Sequence, residues 1–77
     1  MKKKLKNTIK VFRAMNDLTQ EDLSKLVGVT RKTINTIENG VYVPSTYLAL
    51  KLAAVLGTTV EKIFAISEEI NEGESAE

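Results

Sequence analysis

The sequence predicts an all-α domain built from five short helices. Three observations carry this expectation. Apolar residues recur at helical spacing from Leu5 to Phe64. Capping and stop residues divide the pattern cleanly. No strand pattern rivals the helical one, since Val41-Tyr42-Val43 is only three residues long. Seventy-seven residues, 43% of them apolar, suit one small folded domain.

Leu5, Ile9 and Phe12 share a helical face with Met15, which places a first helix at about 5–16, followed by a turn at Asn16-Asp17. Thr19-Gln20-Glu21-Asp22 resembles a capping box, and its acidic residues suit the positive end of a helix dipole. Leu23, Leu26 and Val27 give the apolar face of this second helix, about 20–27, and Gly28 supplies the left-handed stop. Thr30 caps a third helix anchored by Ile34 and Ile37, and Asn39-Gly40 closes it. Pro44 disfavours helix at Val43. Ser45 then caps a fourth, about 46–56, with Leu48, Ala49, Leu52, Ala53 and Leu56 as its buried stripe and Gly57 at its end. Thr58 and Glu61 suggest another capping box, and Val60, Ile63 and Phe64 a fifth helix of a turn or two. From Ser67 the chain is acidic and poor in apolar residues, which predicts a frayed tail. The folded domain is therefore expected at 1–66, with a basic segment at 1–6 and a flexible tail at 67–77.

Composition removes several classes of function. Cysteine and histidine are absent, so there is no disulfide scaffold, thiol nucleophile, imidazole base, or Cys- or His-ligated zinc. Glu21 and Asp22 fall at a helix cap and Glu68 and Glu69 in the expected tail, so neither pair suggests a shielded acid–base site. The four glycines form no phosphate-cradling loop. The chain reads as a non-enzyme with no metal and no cofactor. Lys6, Asn7, Thr8 and Lys10 interrupt any secretory apolar stretch after the basic start, and no run is long enough for a membrane helix. A cytoplasmic protein with no membrane partner is expected.

The net charge of +1 hides an asymmetry. Residues 1–60 carry ten basic and four acidic side chains, whereas 61–77 carry one basic and six acidic. A basic body with an acidic end is a weak cue for nucleic-acid binding, and it is equally what a solvated surface shows.

The segment from Gln20 to Ile37 is the informative one. Two helices of about eight residues flank Gly28-Val29-Thr30, the spacing of a helix-turn-helix. Ser24 is small enough for a helix crossing, and Val29 can plug the gap between the two helices. Anchoring the second of them through Ile34 and Ile37 turns Arg31, Lys32, Asn35 and Thr36 outward. All four can donate hydrogen bonds and none is acidic. Arg or Lys can pair with guanine, Asn with adenine, and the Thr methyl with thymine. The bland alternative is a polar face that water alone covers.

The run LTQEDLSKLVGVTRKTINTIENGVYVPS resembles the Cro/CI-type (XRE family) helix-turn-helix domain, and the likeness spans about residues 5–66. It implies a lambda-repressor-like five-helix fold with the helix-turn-helix at the second and third helices. It implies a sequence-specific transcriptional regulator, a repressor on a palindromic operator, with double-stranded DNA as partner. Gln20 would meet the DNA backbone, Thr30 would open the recognition helix, and Arg31, Lys32 and Thr36 fall where the family reads bases. Thr33 and Asn35 would assist there or contact phosphate, and Asn39 matches a phosphate-contacting position. The resemblance also pairs Arg13 with Glu38 as a structural ion pair.

One recognition helix reads only a few base pairs, so a homodimer is expected, with Val60, Ile63, Phe64 and Ile66 at its interface. Lys2, Lys3, Lys4, Lys6 and Lys10 read as a solubilising tail or as an arm along the phosphates. No small-molecule effector is evident, because the core needs nearly every apolar residue. The alternative function is an antitoxin-type interaction module that also controls its own operon.

Overall fold

The computed structural model describes residues 2–69, and five helices and a two-stranded antiparallel ribbon make up its fold. In chain order these are β1 (Lys2–Asn7), α1 (Ile9–Met15), α2 (Gln20–Val27), α3 (Arg31–Glu38), α4 (Thr46–Leu56), α5 (Val60–Ile63) and β2 (Phe64–Glu69).

The ribbon corrects the all-α expectation. β1 runs against β2 with Asn7 opposite Phe64, Leu5 opposite Ile66 and Lys2 opposite Glu69. Leu5 therefore belongs to a strand, and the first helix begins at Ile9 rather than near residue 5. The physical cause lies at Asn7 and Thr8. The Asn7 Oδ1 accepts the Ile9 N–H at 3.2 Å, satisfying a free amide of the helix start. The Thr8 N–H donates to the Ile63 carbonyl at 2.8 Å and its hydroxyl to Lys62 at 3.1 Å, which extends the ladder to the helical body.

The ribbon also changes the expected tail. Residues 67–69 are paired with 2–4, so the strand runs past the expected domain edge at residue 66. The rest of that predicted tail, 70–77, lies outside the described residues. The lysine-rich start is neither a free arm nor apart from the acidic end, because Lys2 and Lys3 stand across from Glu69 and Glu68.

The remaining elements follow from local chemistry. The Thr19 hydroxyl accepts the Asp22 N–H at 2.9 Å, and the Asp22 carboxylate accepts the Thr19 N–H at 3.0 Å. That backbone bond, followed by the Thr19 hydroxyl, holds the Asp22 carboxyl below the ordinary value for an aspartate. Its support of α2 is complete above the ordinary value and is lost as pH falls through the lowered one. Thr30 and Ser45 cap α3 and α4 through their hydroxyls. The last cap is Thr59, one residue beyond the predicted Thr58, and α5 ends at Ile63 as Phe64 turns to extended backbone.

Ile9, Leu23, Ile34, Ile37, Leu52 and Ile63 are almost completely buried and form the centre of one core. Leu26, placed on the inner face by periodicity, is instead 54% exposed, and Met15 is 70% exposed. Among the described residues no helix is long and apolar enough to cross a membrane.

Asn7 joins the ribbon to this core, since its Nδ2 also donates to the Ile37 carbonyl at 2.9 Å. Asn7→Ala removes both bonds and should cost about 1–2 kcal/mol of folding free energy. Urea unfolding measures this; a loss under about 0.3 kcal/mol would show that Asn7 is not the joint between ribbon and helices.

Candidate nucleic-acid interface

α3 is presented on the surface by a short, tightly closed turn. Gly28 adopts φ +78°, a conformation that costs glycine nothing, and its N–H and that of Val29 both return to the Ser24 carbonyl, at 2.9 and 3.0 Å. Ser24 is buried, and its hydroxyl donates to the Glu21 carbonyl at 2.7 Å, so no polar atom is stranded at the helix crossing. Leu23 and Val27 of α2 and Ile34 and Ile37 of α3 fill the space between the helices.

Burying Ile34 and Ile37 decides the other face. Arg31, Lys32 and Asn35 are exposed, and Thr33 and Thr36 are half-buried. The threonine hydroxyls are engaged locally. Thr30 Oγ1 lies 3.0 Å from Thr33 Oγ1 and accepts the Thr33 N–H at 3.2 Å. Thr36 donates to the Thr33 carbonyl at 2.9 Å. One hydroxyl of the Thr30–Thr33 pair donates to the other, so a single O–H of that pair stays free to donate outward. Asn39 is exposed just past the helix, with its backbone N–H held by the Asn35 carbonyl at 3.0 Å. After it Gly40 adopts φ +77°, and the Val41 and Tyr42 N–H groups both reach the Thr36 carbonyl. The loop exposes Val41, Tyr42 and Val43.

The acidic residue of α3 is turned away from that surface. Glu38 accepts from Arg13 Nε at 2.8 Å and from Arg13 Nη2 at 3.3 Å, and the Arg13 Nη1 donates to the Leu18 carbonyl at 3.0 Å. The two side chains are 15% and 7% exposed, which makes this a buried, two-pronged pair rather than a surface one. A carboxylate near a helix C-terminus opposes the dipole, and the guanidinium offsets that repulsion.

Gln20 joins the same group. Its Nε2 donates to Glu38 Oε1 at 3.1 Å and to Asn35 Oδ1 at 3.2 Å. Both amide hydrogens are thus spent inside the protein, and the side chain has no N–H left to offer a phosphate. The sequence places Gln20 fifteen and eighteen residues before these partners, a separation at which periodicity carries no signal of contact.

The residues expected at a dimer contact separate in the structure. Ile63 is 1% exposed and closes the monomer core, so its side chain is not at the surface. Val60 and Phe64 are half-buried and Ile66 is 73% exposed. Leu5, Pro44, Ala49, Leu50, Val60 and Phe64 line a shallow apolar groove beside Ile66. Among the described residues no group of acidic side chains could hold a metal ion.

Comparison with known proteins gives one consistent answer. Residues 9–63 match the family model described as Helix-turn-helix. An uncharacterized HTH-type transcriptional regulator of Methanocaldococcus jannaschii is 48% identical over 65 residues, which cover 84% of this chain and 98% of that protein. The uncharacterized HTH-type transcriptional regulator YgzD of Bacillus subtilis is 45% identical over 65 residues, again 84% of this chain and 98% of the relative. Among solved structures, the clp gene regulator ClgR from Corynebacterium glutamicum superposes with a TM-score of 0.64 at 25% identity. That match covers 68% of this chain and 55% of ClgR, so the chain spans about half of that protein. A Bacteroides fragilis protein shares the fold, with a TM-score of 0.72 at 24% identity over 79% of this chain and 98% of its own.

Removing one partner of the buried pair, by Arg13→Ala or Glu38→Ala, should cost about 3–5 kcal/mol, because the other charge is left inside without its partner. Thermal melts of both variants check this. Near-wild-type stability in either would mean that the pair is not needed to hold α1 against α3.

Proposed function

The chain belongs to the helix-turn-helix family of XRE type, whose relatives are named as transcriptional regulators, and from that premise we propose that it binds double-stranded DNA sequence-specifically and represses transcription. It acts by contact rather than by catalysis. The observation that carries this reading is the outward row of α3. Arg31, Lys32 and Asn35 are exposed there, and the acidic Glu38 is folded inward against Arg13.

In this reading α3 enters the major groove. Arg31 and Lys32 donate to guanine O6 and N7, and the Thr36 methyl meets thymine. Thr30, Thr33 and Asn39 flank the groove and contact phosphate. Gln20 supports α3 from α2. Exposed Lys6 and Lys10 add charge that strengthens binding to any sequence and makes it salt-sensitive.

A homodimer supplies the second half-site of a palindromic operator, about 34 Å away along the duplex. What supports it is the apolar surface formed by Leu5, Leu50, Val60, Phe64 and the exposed Ile66, which the monomer leaves partly open. Ile63 is excluded from that contact by its burial.

Arg31→Ala or Lys32→Ala should weaken specific binding by about 1–3 kcal/mol while changing random DNA much less. Mobility shifts on both DNAs measure this, and equal losses on the two would contradict base reading. Sedimentation at micromolar concentration should give a dimer that Ile66→Lys converts to monomer. A wild-type monomer both with and without operator DNA would refute the dimer.

A further inference from the structure

We propose that Asn35 is a specificity-determining residue whose amide is locked by Gln20 and Glu38, so that it offers Nδ2 to an acceptor on a base edge and rejects cytosine there. The inference rests on the DNA-binding reading above and names the base-edge chemistry that this surface selects.

The polarity of a side-chain amide follows from its partners. Glu38 Oε1 accepts from Arg13 Nη2, and its carboxylate has no proton to give. The Gln20 atom 3.1 Å from it must therefore be Nε2. The second hydrogen on that nitrogen points to Asn35, 3.2 Å away, so the Asn35 atom there must be the acceptor Oδ1. The chain of constraint runs from a buried charge to an exposed reader in three steps, Arg13 to Glu38, Glu38 to Gln20, Gln20 to Asn35.

An unconstrained asparagine turns its amide over and serves as donor or acceptor alike. Here turning over would set the Asn35 NH2 against the Gln20 NH2, with neither bond made. Asn35 Nδ2 is left without a partner among the described residues, on the exposed face that also carries Arg31 and Lys32. In the major groove adenine and guanine N7, guanine O6 and thymine O4 accept hydrogen bonds, whereas cytosine presents only its N4 amino donor. Donor facing donor leaves two polar groups unpaired in a closed interface, so exclusion of cytosine is the strongest effect expected.

The test is selection of bound sites from random duplex DNA, at low salt, using the full chain, Gln20→Met and Asn35→Asp. Gln20→Met keeps the side-chain length and leaves the Arg13–Glu38 pair in place. Asn35→Asp keeps the oxygen toward Gln20 and replaces the outward donor by an acceptor. The wild-type motif should be depleted of cytosine at one position per half-site, by about fivefold or more, the lower end of what a base contact contributes. Gln20→Met should flatten that position alone. Asn35→Asp, at an exposed site that does not threaten folding, should enrich cytosine at that same position. A wild-type motif that stays unchanged in both variants overturns the lock and leaves the DNA-binding reading standing. Failure of the folded wild-type chain to enrich any motif overturns both.

Discussion

A carboxylate 7% exposed is costly to bury alone, by several kcal/mol after relaxation, and Glu38 is such a group. Its three hydrogen bonds answer that cost, two from Arg13 on α1 and one from Gln20 on α2. Glu38 itself ends α3. One side chain therefore specifies how three helices meet, and it does so by direction as well as by contact. A hydrophobic contact tolerates sliding and rotation. A guanidinium fork on a carboxylate does not, because both prongs must align. The outward face of α3 inherits this definition, since the helix is fixed about its own axis by Ile34 and Ile37 and at its end by Glu38.

The same pair also cleans the electrostatics of the exposed face. An acidic residue on α3 would repel a phosphate-lined groove if it pointed outward. Folded against Arg13, it leaves Arg31, Lys32 and Asn35 in a setting with no negative neighbour on the helix. Through Gln20 it reaches Asn35 as well. The buried pair and the exposed face of α3 are thus linked by hydrogen bonds rather than divided between separate regions.

The ribbon adds a second constraint. β1 and β2 bring the two ends of the described chain together, and Asn7 and Thr8 fasten them to the ends of α3 and α5. A small domain gains from closing its ends, because fraying there would open the core at Ile9 and Ile63. The ribbon also sets the lysine-rich start beside the acidic strand. Exposed basic side chains stand at Arg31 and Lys32 on α3 and at Lys6 and Lys10.

Much of this was legible in the chain itself, wherever the information is local. Thr19, Thr30 and Ser45 cap helices because their hydroxyls reach amides three residues on, and Gly28 and Gly57 stop helices because a residue without a Cβ takes positive φ cheaply. Ile34 and Ile37, spaced by three, determined which face of α3 turns outward. The tertiary structure decided what depends on distant partners. Leu5 has helical spacing to Ile9, yet pairs with Ile66, because a strand's stability comes from a neighbour some sixty residues away and not from its own pattern. Ile63 looked as available as Ile66, and only packing sent one into the core and left the other exposed. Gln20 bonds to Asn35 and Glu38 fifteen and eighteen residues further on, a link that no periodicity within one helix can encode.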